Sequence, residues 1–198
     1  DDAIATKTLI TALNDNYPYL RRGAIRKIKK TVKNNKEEVK TILLDLAKND
    51  KDSKVRGDAL SALATNFKDD ETVKSTLVSG TSEDSYYVIA SSLEGLSEVS
   101  YADAMKFAKS FEDEKNNDIQ SSVSSIYAIH GSKEQNIYFK EKIKSTKGYG
   151  KYSLVSNYAK YLKKQDDETV KSSLQTLKDV ATNEKTWWIR STGINTIL

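Results

Sequence analysis

A short pattern recurs six times along this chain of 198 residues, at intervals of about 31 to 36 residues. In a clear copy, Val55-Arg56-x-x-Ala59-Leu60-x-x-Leu63, an apolar anchor is followed by arginine, a small residue and two further apolar residues. Equally clear copies begin at Leu20 and Ile189. A shared period of this length is typical of stacked helical units, each of which buries its apolar face against its neighbours.

The remaining copies are looser. The copy at Val88 lacks the arginine, one begins at Asp118 or Ile119, and one begins at Leu154. An acidic residue lies five positions before the anchor in nearly every copy: Asp15, Asp50, Glu83, Asp113 or Glu114, and Glu184. Only the copy at Leu154 departs, with Tyr149 at that position. The repeated acid marks the turn that precedes each patterned helix.

Each repeat is interpreted as two helices, of which the second carries the pattern. Apolar residues at helical spacing, such as Val39, Leu43 and Leu46, predict the first helix. The predicted pairs span 3–33, 36–67, 70–99, 101–130, 133–164 and 167–198. Small residues recur in the second helix, where close helix packing requires them: Ala24, Ala59, Ser92, Ser122 and Gly193. The period and this pattern predict an all-α fold, an α-solenoid of about six HEAT-like antiparallel helix pairs.

Composition favours a single repeat domain over residues 1–198. Proline occurs once and the eight glycines form no linker. The final residues, from Ile194 to Leu198, are apolar, whereas terminal repeats usually have a polar outer face. We therefore expect the chain to be a fragment of a longer protein. Without cysteine or a signal sequence, both the cytoplasm and the bacterial periplasm or cell envelope stay open as its location.

Charge and hydropathy argue against two classes of partner. The net charge is +4, but lysines alternate with acids, as in Lys36-Glu37-Glu38. This interleaving is typical of a solvated surface and predicts no nucleic-acid groove. No apolar run approaches the roughly 20 residues that span a bilayer, so no membrane partner is expected.

The sequence offers no catalytic site. The only histidine is His130, so a zinc site of the H-E-x-x-H type cannot form, and the absence of cysteine excludes a thiol nucleophile. No glycine-rich phosphate loop or G-x-S-x-G motif is present. We therefore expect this chain to have no enzymatic activity, no catalytic residues and no cofactor or metal of its own.

Two residue sets are candidates for a structural or binding role. Aligned arginines and the repeated acids favour an ion-pair ladder between repeats over a row of ligand-binding arginines; its members are Arg21, Arg56, Arg190, Asp15, Asp50, Glu83 and Glu184. Aromatic residues cluster just before the second helices, as possible interface anchors: Tyr19, Tyr86, Tyr87, Tyr152, Trp187 and Trp188. One ring of each pair is expected in the core, and pure packing stays open for all of them.

Several stretches resemble one family. Ser85–Ala90, Ser125–Gly131, Ile137–Phe139 and Lys151–Leu154 follow in that order, and the turns before Arg21 and Arg190 agree with them. Together they resemble the C-terminal helical-repeat domain of bacterial zinc aminopeptidases related to aminopeptidase N. The zinc helix and the G-x-M-E-N loop of that family are absent, so no catalytic residue carries over. The resemblance implies a domain that packs on its own catalytic domain, which would hold the zinc, and restricts substrate access.

Two hypotheses therefore stand side by side. The chain is either a non-catalytic accessory domain of a zinc aminopeptidase or a free-standing HEAT-like adaptor that binds a protein or peptide on its concave face. An upstream H-E-x-x-H motif in the same open reading frame would distinguish the first from the second.

Overall fold

The computed structural model describes residues 2–28 and 35–197, and these residues form α-helices without any β-strand. The twelve helices of this part are α1 Asp2–Leu13, α2 Pro18–Ile28, α3 Lys36–Asn49, α4 Ser53–Asn66, α5 Glu71–Gly80, α6 Tyr86–Val99, α7 Tyr101–Ser110, α8 Asn117–His130, α9 Asn136–Ser145, α10 Gly148–Leu162, α11 Asp167–Asn183 and α12 Trp187–Ile197. A single 3-10 turn, Lys133–Gln135, precedes α9. The all-α prediction is confirmed, and the helices follow the six predicted pairs; the predicted ends of the first pair at 33 and of the last pair at 198 lie outside the described residues.

Two compact units make up the chain, residues 1–107 and residues 108–198. In the first unit, α1 packs on α2, α3 on α4 and α5 on α6, while the second helices stack as α2 on α4 and α4 on α6. In the second unit, α9 packs on α10 and α11 on α12, with α8 on α10 and α10 on α12. Within each unit the second helices therefore pack on one another, and α2, α4, α6, α10 and α12 also pack on their own first helices. The single-domain expectation stays a prediction.

Short polar side chains begin several helices. Asp52 accepts hydrogen bonds from the N–H groups of Lys54 and Val55, and Asn116 does the same for Asp118 and Ile119. Both lie in the turns before patterned helices, where they satisfy amides that have no partner inside the helix. Ser85, which precedes α6, makes no such side-chain bond.

The register of the fourth copy is settled by its contacts. Ile119 is fully buried, and Gln120 donates to the carbonyl of Glu114 (3.0 Å) just as Arg56 donates to the carbonyl of Asp50 (2.9 Å). The anchor is therefore Ile119 and the repeated acid is Glu114. This places Val123, not Ser122, at the small-residue position, so the assignment of Ser122 to that position is wrong.

The small-residue rule consequently holds for only part of the chain. Ala24, Ala59, Ser92 and Gly193 are buried at this position. In α8 and α10 the same position holds larger side chains, Val123 and Tyr158, both fully buried. Tyr158 stacks on Phe139, with ring centroids 4.9 Å apart. In these two helices of the second unit, larger side chains occupy the position that small residues hold in the first unit.

Candidate functional site

The arginine ladder of the first unit crosses from one repeat to the next. Arg21 donates hydrogen bonds to both carboxylate oxygens of Asp50, from Nε to Oδ2 at 2.6 Å and from Nη2 to Oδ1 at 2.7 Å. Arg56 places Nη2 at 3.1 Å from Oε2 of Glu83. Both guanidinium groups are largely shielded from water, so the bidentate and charge-assisted bonds retain strength that an exposed pair loses. The hydrogen bond to Asp50, with its charge, raises the pKa of Arg21 against the opposing effect of burial.

Each ladder arginine also donates a hydrogen bond to a backbone carbonyl of the turn that precedes its own helix. Nη1 of Arg21 donates to the carbonyl of Asp15 at 2.7 Å, and Nη1 of Arg190 donates to the carbonyl of Glu184 at 2.7 Å. The acid side chain closes the same turn from within, since Oδ1 of Asp15 accepts the N–H of Tyr17 at 2.8 Å. The pairing of acid and arginine in the repeat therefore has a local reason as well as an inter-repeat one.

The second unit builds equivalent links from residues that sequence reasoning missed. Gln120 stands at the arginine position, where its amide nitrogen keeps the turn-closing bond to Glu114 and its amide oxygen accepts from the hydroxyl of Thr146 at 3.4 Å. Between the last two repeats, Lys151 forms an ion pair with Glu184. Lys151 lies three residues before the anchor rather than one after it. Its nearly complete burial fits a strongly hydrophilic side chain only because the charge is paired.

A buried carboxylate that the sequence analysis overlooked organises the second helices of the first unit. Asp58 accepts from Nε of Arg22 at 2.8 Å and from the hydroxyl of Tyr87 at 2.5 Å, and Arg26 lies 3.4 Å away. These donors come from the helices on both sides of α4. The hydrogen bond to Asp58 raises the pKa of Arg22, and burial together with Asp58 raises the pKa of Tyr87. The signal available in the sequence was Asp58 itself, an acid next to the apolar residues of α4.

The first helices of this unit carry a further row of ion pairs. Nζ of Lys40 lies 2.9 Å from Asp70, and Nζ of Lys74 lies 3.3 Å from Asp103. The hydrogen bond from Lys40 lowers the pKa of Asp70, which also caps α5. For Asp103 the pKa is lowered mainly by the hydroxyl of Ser100. Both faces of the stack are thus crossed by charge pairs about one repeat apart in sequence.

The candidate interface aromatics are mostly exposed. Tyr19 is 82% exposed, Tyr86 about half exposed, and Tyr152 half-buried. Only Tyr87 turns inward, where its hydroxyl bonds Asp58. Tyr87 is half-buried and Tyr86 exposed, so the expectation of one core ring in this pair stays a prediction.

Neither tryptophan of the last pair is buried, which contradicts that expectation for α12. Trp187 is 67% exposed, and Trp188 is exposed as well. Their rings meet edge to face with centroids 5.8 Å apart.

Four of the exposed or half-buried rings lie at one edge of the second unit. Tyr149 and Tyr152 begin α10 with centroids 5.8 Å apart, and Trp187 and Trp188 begin α12. The Lys151–Glu184 ion pair joins the two turns, because Lys151 lies between the tyrosines and Glu184 lies three residues before Trp187. We call these four rings the aromatic edge. Lys147 and Lys185, both exposed, flank it, and Glu184 beside it is paired with Lys151.

Neither a metal-binding cluster nor a membrane-spanning helix is found in the described residues. No group of three histidine, cysteine, aspartate or glutamate side chains comes together there in a way that could hold a metal ion. Residue His130 ends α8 as a half-buried side chain. Within the same part of the chain, no helix has the length and apolar character needed to cross a bilayer.

Comparison with known proteins agrees with this architecture. Residues 6–97 match the family model of HEAT repeats. No curated protein gives a significant match to the chain. Among solved structures, the crystal structure of an engineered protein from the Northeast Structural Genomics Consortium aligns with a TM-score of 0.56 at 13% identity, over 98% of this chain and 95% of that one. That identity shows the fold alone, and none of these matches links the chain to zinc aminopeptidases. The chain therefore has the all-α fold of an α-solenoid, and residues 6–97 are similar to HEAT repeats.

Proposed function

We propose that this chain is a non-catalytic helical-repeat domain that binds a protein partner through the aromatic edge. The observation that carries the proposal is the exposure of large rings, with Tyr149 77% and Trp187 67% exposed beside Tyr152 and Trp188. Tyrosine and tryptophan lose little entropy when they are covered and dominate the energetics of many protein interfaces. Helical-repeat stacks also present such rows on a long surface built from successive repeats.

The charges around the edge define the chemistry of the partner. Lys147 and Lys185 are exposed, and Glu184 is neutralised by Lys151. The edge is therefore apolar at its centre and positive at its rim. A protein segment that presents aromatic or aliphatic side chains together with aspartate or glutamate complements both features, since rim charges steer association and buried rings supply affinity.

Fluorescence offers a direct test, because Trp187 and Trp188 are the only tryptophans in the chain. The protein is titrated with a short peptide that alternates glutamate with phenylalanine or leucine, and with a matched peptide in which lysine replaces glutamate. We expect a saturable blue shift of tryptophan emission with the acidic peptide, weaker at high salt, and a much smaller response to the basic one.

Variants that keep both tryptophans locate the contact. Tyr149→Ala and Lys185→Glu should each weaken binding of the acidic peptide several-fold, whereas Lys36→Glu, on an exposed position of α3, should not. Equal responses to both peptides, or no response to either, would contradict the proposal.

A more specific form of this proposal names the partner. The resemblance of Ser85–Ala90 and the other stretches to the C-terminal domain of zinc aminopeptidases supports a catalytic domain of the same polypeptide as the partner of this domain. That version requires an H-E-x-x-H motif upstream in the open reading frame. An open reading frame that lacks this motif leaves the free-standing adaptor as the form of the proposal.

A further inference from the structure

A cavity of about 640 Å³ lies in the second unit, between the turn that precedes α8 and one face of α9. Glu112 and Asp113 of that turn line one side. Glu134, in the 3-10 turn, and Glu141, on α9, line the other. The volume is in the range of small-molecule sites. Among the described residues that line the cavity, four are acidic and two are lysines, so it is negatively charged.

The wall of this cavity contains a buried hydroxyl without a partner. Tyr138 lines the cavity and is 5% exposed, and its hydroxyl makes no hydrogen bond among the described residues. Burial, together with the nearby charge of Glu112, raises the pKa of Tyr138, so the phenol stays neutral. A buried polar group that makes no hydrogen bond lowers stability. A ligand in the cavity would supply the missing partner.

Both lysines of the cavity are already paired on the side of the turn. Nζ of Lys109 lies 2.7 Å from Oε2 of Glu112. Nζ of Lys142 lies 3.4 Å from Oδ1 of Asp113. The cations of the cavity are therefore used by the carboxylates of the turn and not by those on the side of α9.

The two carboxylates on the side of α9 are available to a ligand. Glu134 and Glu141 are exposed and make no ion pair among the described residues. They are seven residues apart in sequence, which corresponds to two helical turns or roughly 10 Å. Ile137 and Tyr138 lie between them and line the same cavity. One face of α9 thus presents two separated negative charges with an apolar side chain and a hydroxyl between them.

This separation favours an organic cation over a metal ion. A metal ion needs several ligand atoms around one point, and no group of three histidine, cysteine, aspartate or glutamate side chains in the described part of the chain could hold one. A linear chain with an ammonium group at each end would instead place one charge at each carboxylate. Its methylene groups would cover Ile137, which is 64% exposed.

We propose that this cavity binds a linear aliphatic polyamine. Its terminal ammonium groups pair with Glu134 and Glu141, its methylene groups lie on Ile137, and an internal amine donates a hydrogen bond to the hydroxyl of Tyr138. The site shares no residue with the aromatic edge, whose rings begin α10 and α12.

Isothermal titration calorimetry of the full chain with spermidine, a linear triamine, tests the proposal. We expect saturable binding that weakens as salt is added, because the carboxylates are exposed and their charges are screened. Glu134→Gln and Glu141→Gln should each weaken binding several-fold. Glu168→Gln, at an exposed acid of α11, is the matched control and should bind as wild type does.

A second ligand isolates the role of the hydroxyl. Diaminooctane has a similar length and two terminal amines but no internal amine. Tyr138→Phe should therefore weaken binding of spermidine several-fold and leave binding of diaminooctane unchanged. Thermal melting without ligand verifies that the variant is folded.

Four outcomes would overturn the inference. They are no saturable binding of spermidine, affinity unchanged in both glutamine variants, equal affinity of spermidine for wild type and Tyr138→Phe, and displacement of spermidine by an equal concentration of magnesium ions. A peptide with two lysines that binds more tightly than spermidine would assign the site to a protein partner instead. Because no residue of the aromatic edge is changed, the peptide titration above can succeed or fail independently.

Discussion

At the scale of single residues, the charged side chains are paired mainly where they join repeats. Arg56 illustrates this, since it donates to the carbonyl of Asp50 and to the carboxylate of Glu83. Truncation of the Arg56 side chain would leave the carbonyl of Asp50 and the carboxylate of Glu83 without this donor in a partly buried turn. The paired contact, rather than the charge alone, is what we expect to matter for stability.

Replacing Arg56 with alanine should lower the free energy of unfolding by about 1–3 kcal/mol, because two hydrogen bonds to a charged donor are lost. Chemical denaturation measures the change. Lys54→Ala, at an exposed position of the same helix, is the matched control and should stay within about 0.5 kcal/mol of wild type. Equal changes in the free energy of unfolding for the two variants would show that the Arg56 contacts do not stabilise the protein.

A second residue-scale prediction concerns an unpartnered hydroxyl. The hydroxyl of Tyr138 is buried and has no hydrogen-bond partner among the described residues, whereas that of Tyr127 donates to Glu112 at 2.6 Å. Tyr138→Phe should therefore stabilise the protein by up to about 1–3 kcal/mol, and Tyr127→Phe should destabilise it. Thermal melting of both variants checks the sign; a loss of stability in Tyr138→Phe would show that the hydroxyl has a partner in solution.

At the scale of elements, close approach of second helices depends on missing side chains. A Cβ on Gly57 of α4 would lie 2.6 Å from the ring of Tyr87 and 2.8 Å from the hydroxyl oxygen of Ser91. The ring cannot retreat freely, because its hydroxyl is held by Asp58. This glycine is thus required by the packing of α6 on α4 rather than by backbone conformation.

Gly57→Ala should consequently destabilise the protein by about 1–3 kcal/mol, in spite of alanine's better helix propensity. Gly23→Ala is the matched comparison, since an added Cβ there meets nothing within 4 Å and should stabilise by about 0.5–1 kcal/mol. Opposite signs in denaturant titrations are expected. If both variants gain stability, the α4–α6 contact is looser than described.

Ala59 tests the small-residue position itself. Its side chain is fully buried, so leucine there must displace neighbouring helices or adopt a strained rotamer, at a cost of about 1–3 kcal/mol. Ala102→Leu makes the same change at an exposed position of α7 and should leave the melting temperature nearly unchanged. Similar melting of the two variants would mean that the position is not confined.

At the scale of the whole molecule, the two compact units differ in how they fill their cores. The first relies on aliphatic and small residues around the Asp58 network. The second buries Tyr127, Tyr138, Tyr158 and Tyr161 together with Phe139. Burial raises the pKa of Tyr158 and of Tyr161 to about 12, and it also raises the pKa of Tyr127 and Tyr138.

These shifts predict alkaline sensitivity of the second unit. A tyrosine whose pKa is raised on folding contributes stability that is fully present below its unfolded pKa of about 10 and is lost as pH rises through the folded value. Stability should therefore fall between about pH 10 and 12. Both tryptophans lie in this unit, so their emission reports its unfolding, while far-ultraviolet circular dichroism reports both units. Denaturation midpoints that do not change over this pH range would contradict the prediction.

Local periodicity determined much of this protein from sequence alone. The shared period of the copies at Val55, Val88 and Ile189 predicted six helix pairs, because a helix's hydrogen bonds are internal and its apolar stripe follows from 3.6 residues per turn. The acid five positions before each anchor likewise marked the turns, since Asp15 and Asp50 each accept the backbone N–H of the residue two positions further on. The helix pairs and the turns between them can be predicted without knowing which helices pack against one another.

Only the tertiary structure decided the partners. Arg56 had several carboxylates within the same sequence pattern, and stacking selected Glu83. The roles of Lys151 and Asp58, the inward turn of Tyr87 and the exposure of both tryptophans depend equally on neighbouring helices. The register of α8, which places Val123 rather than Ser122 at the small-residue position, was decided by contacts as well. Which side chains meet across an interface is set by helix spacing and rotation, and those quantities arise from the packing of residues about one repeat apart rather than from any local pattern.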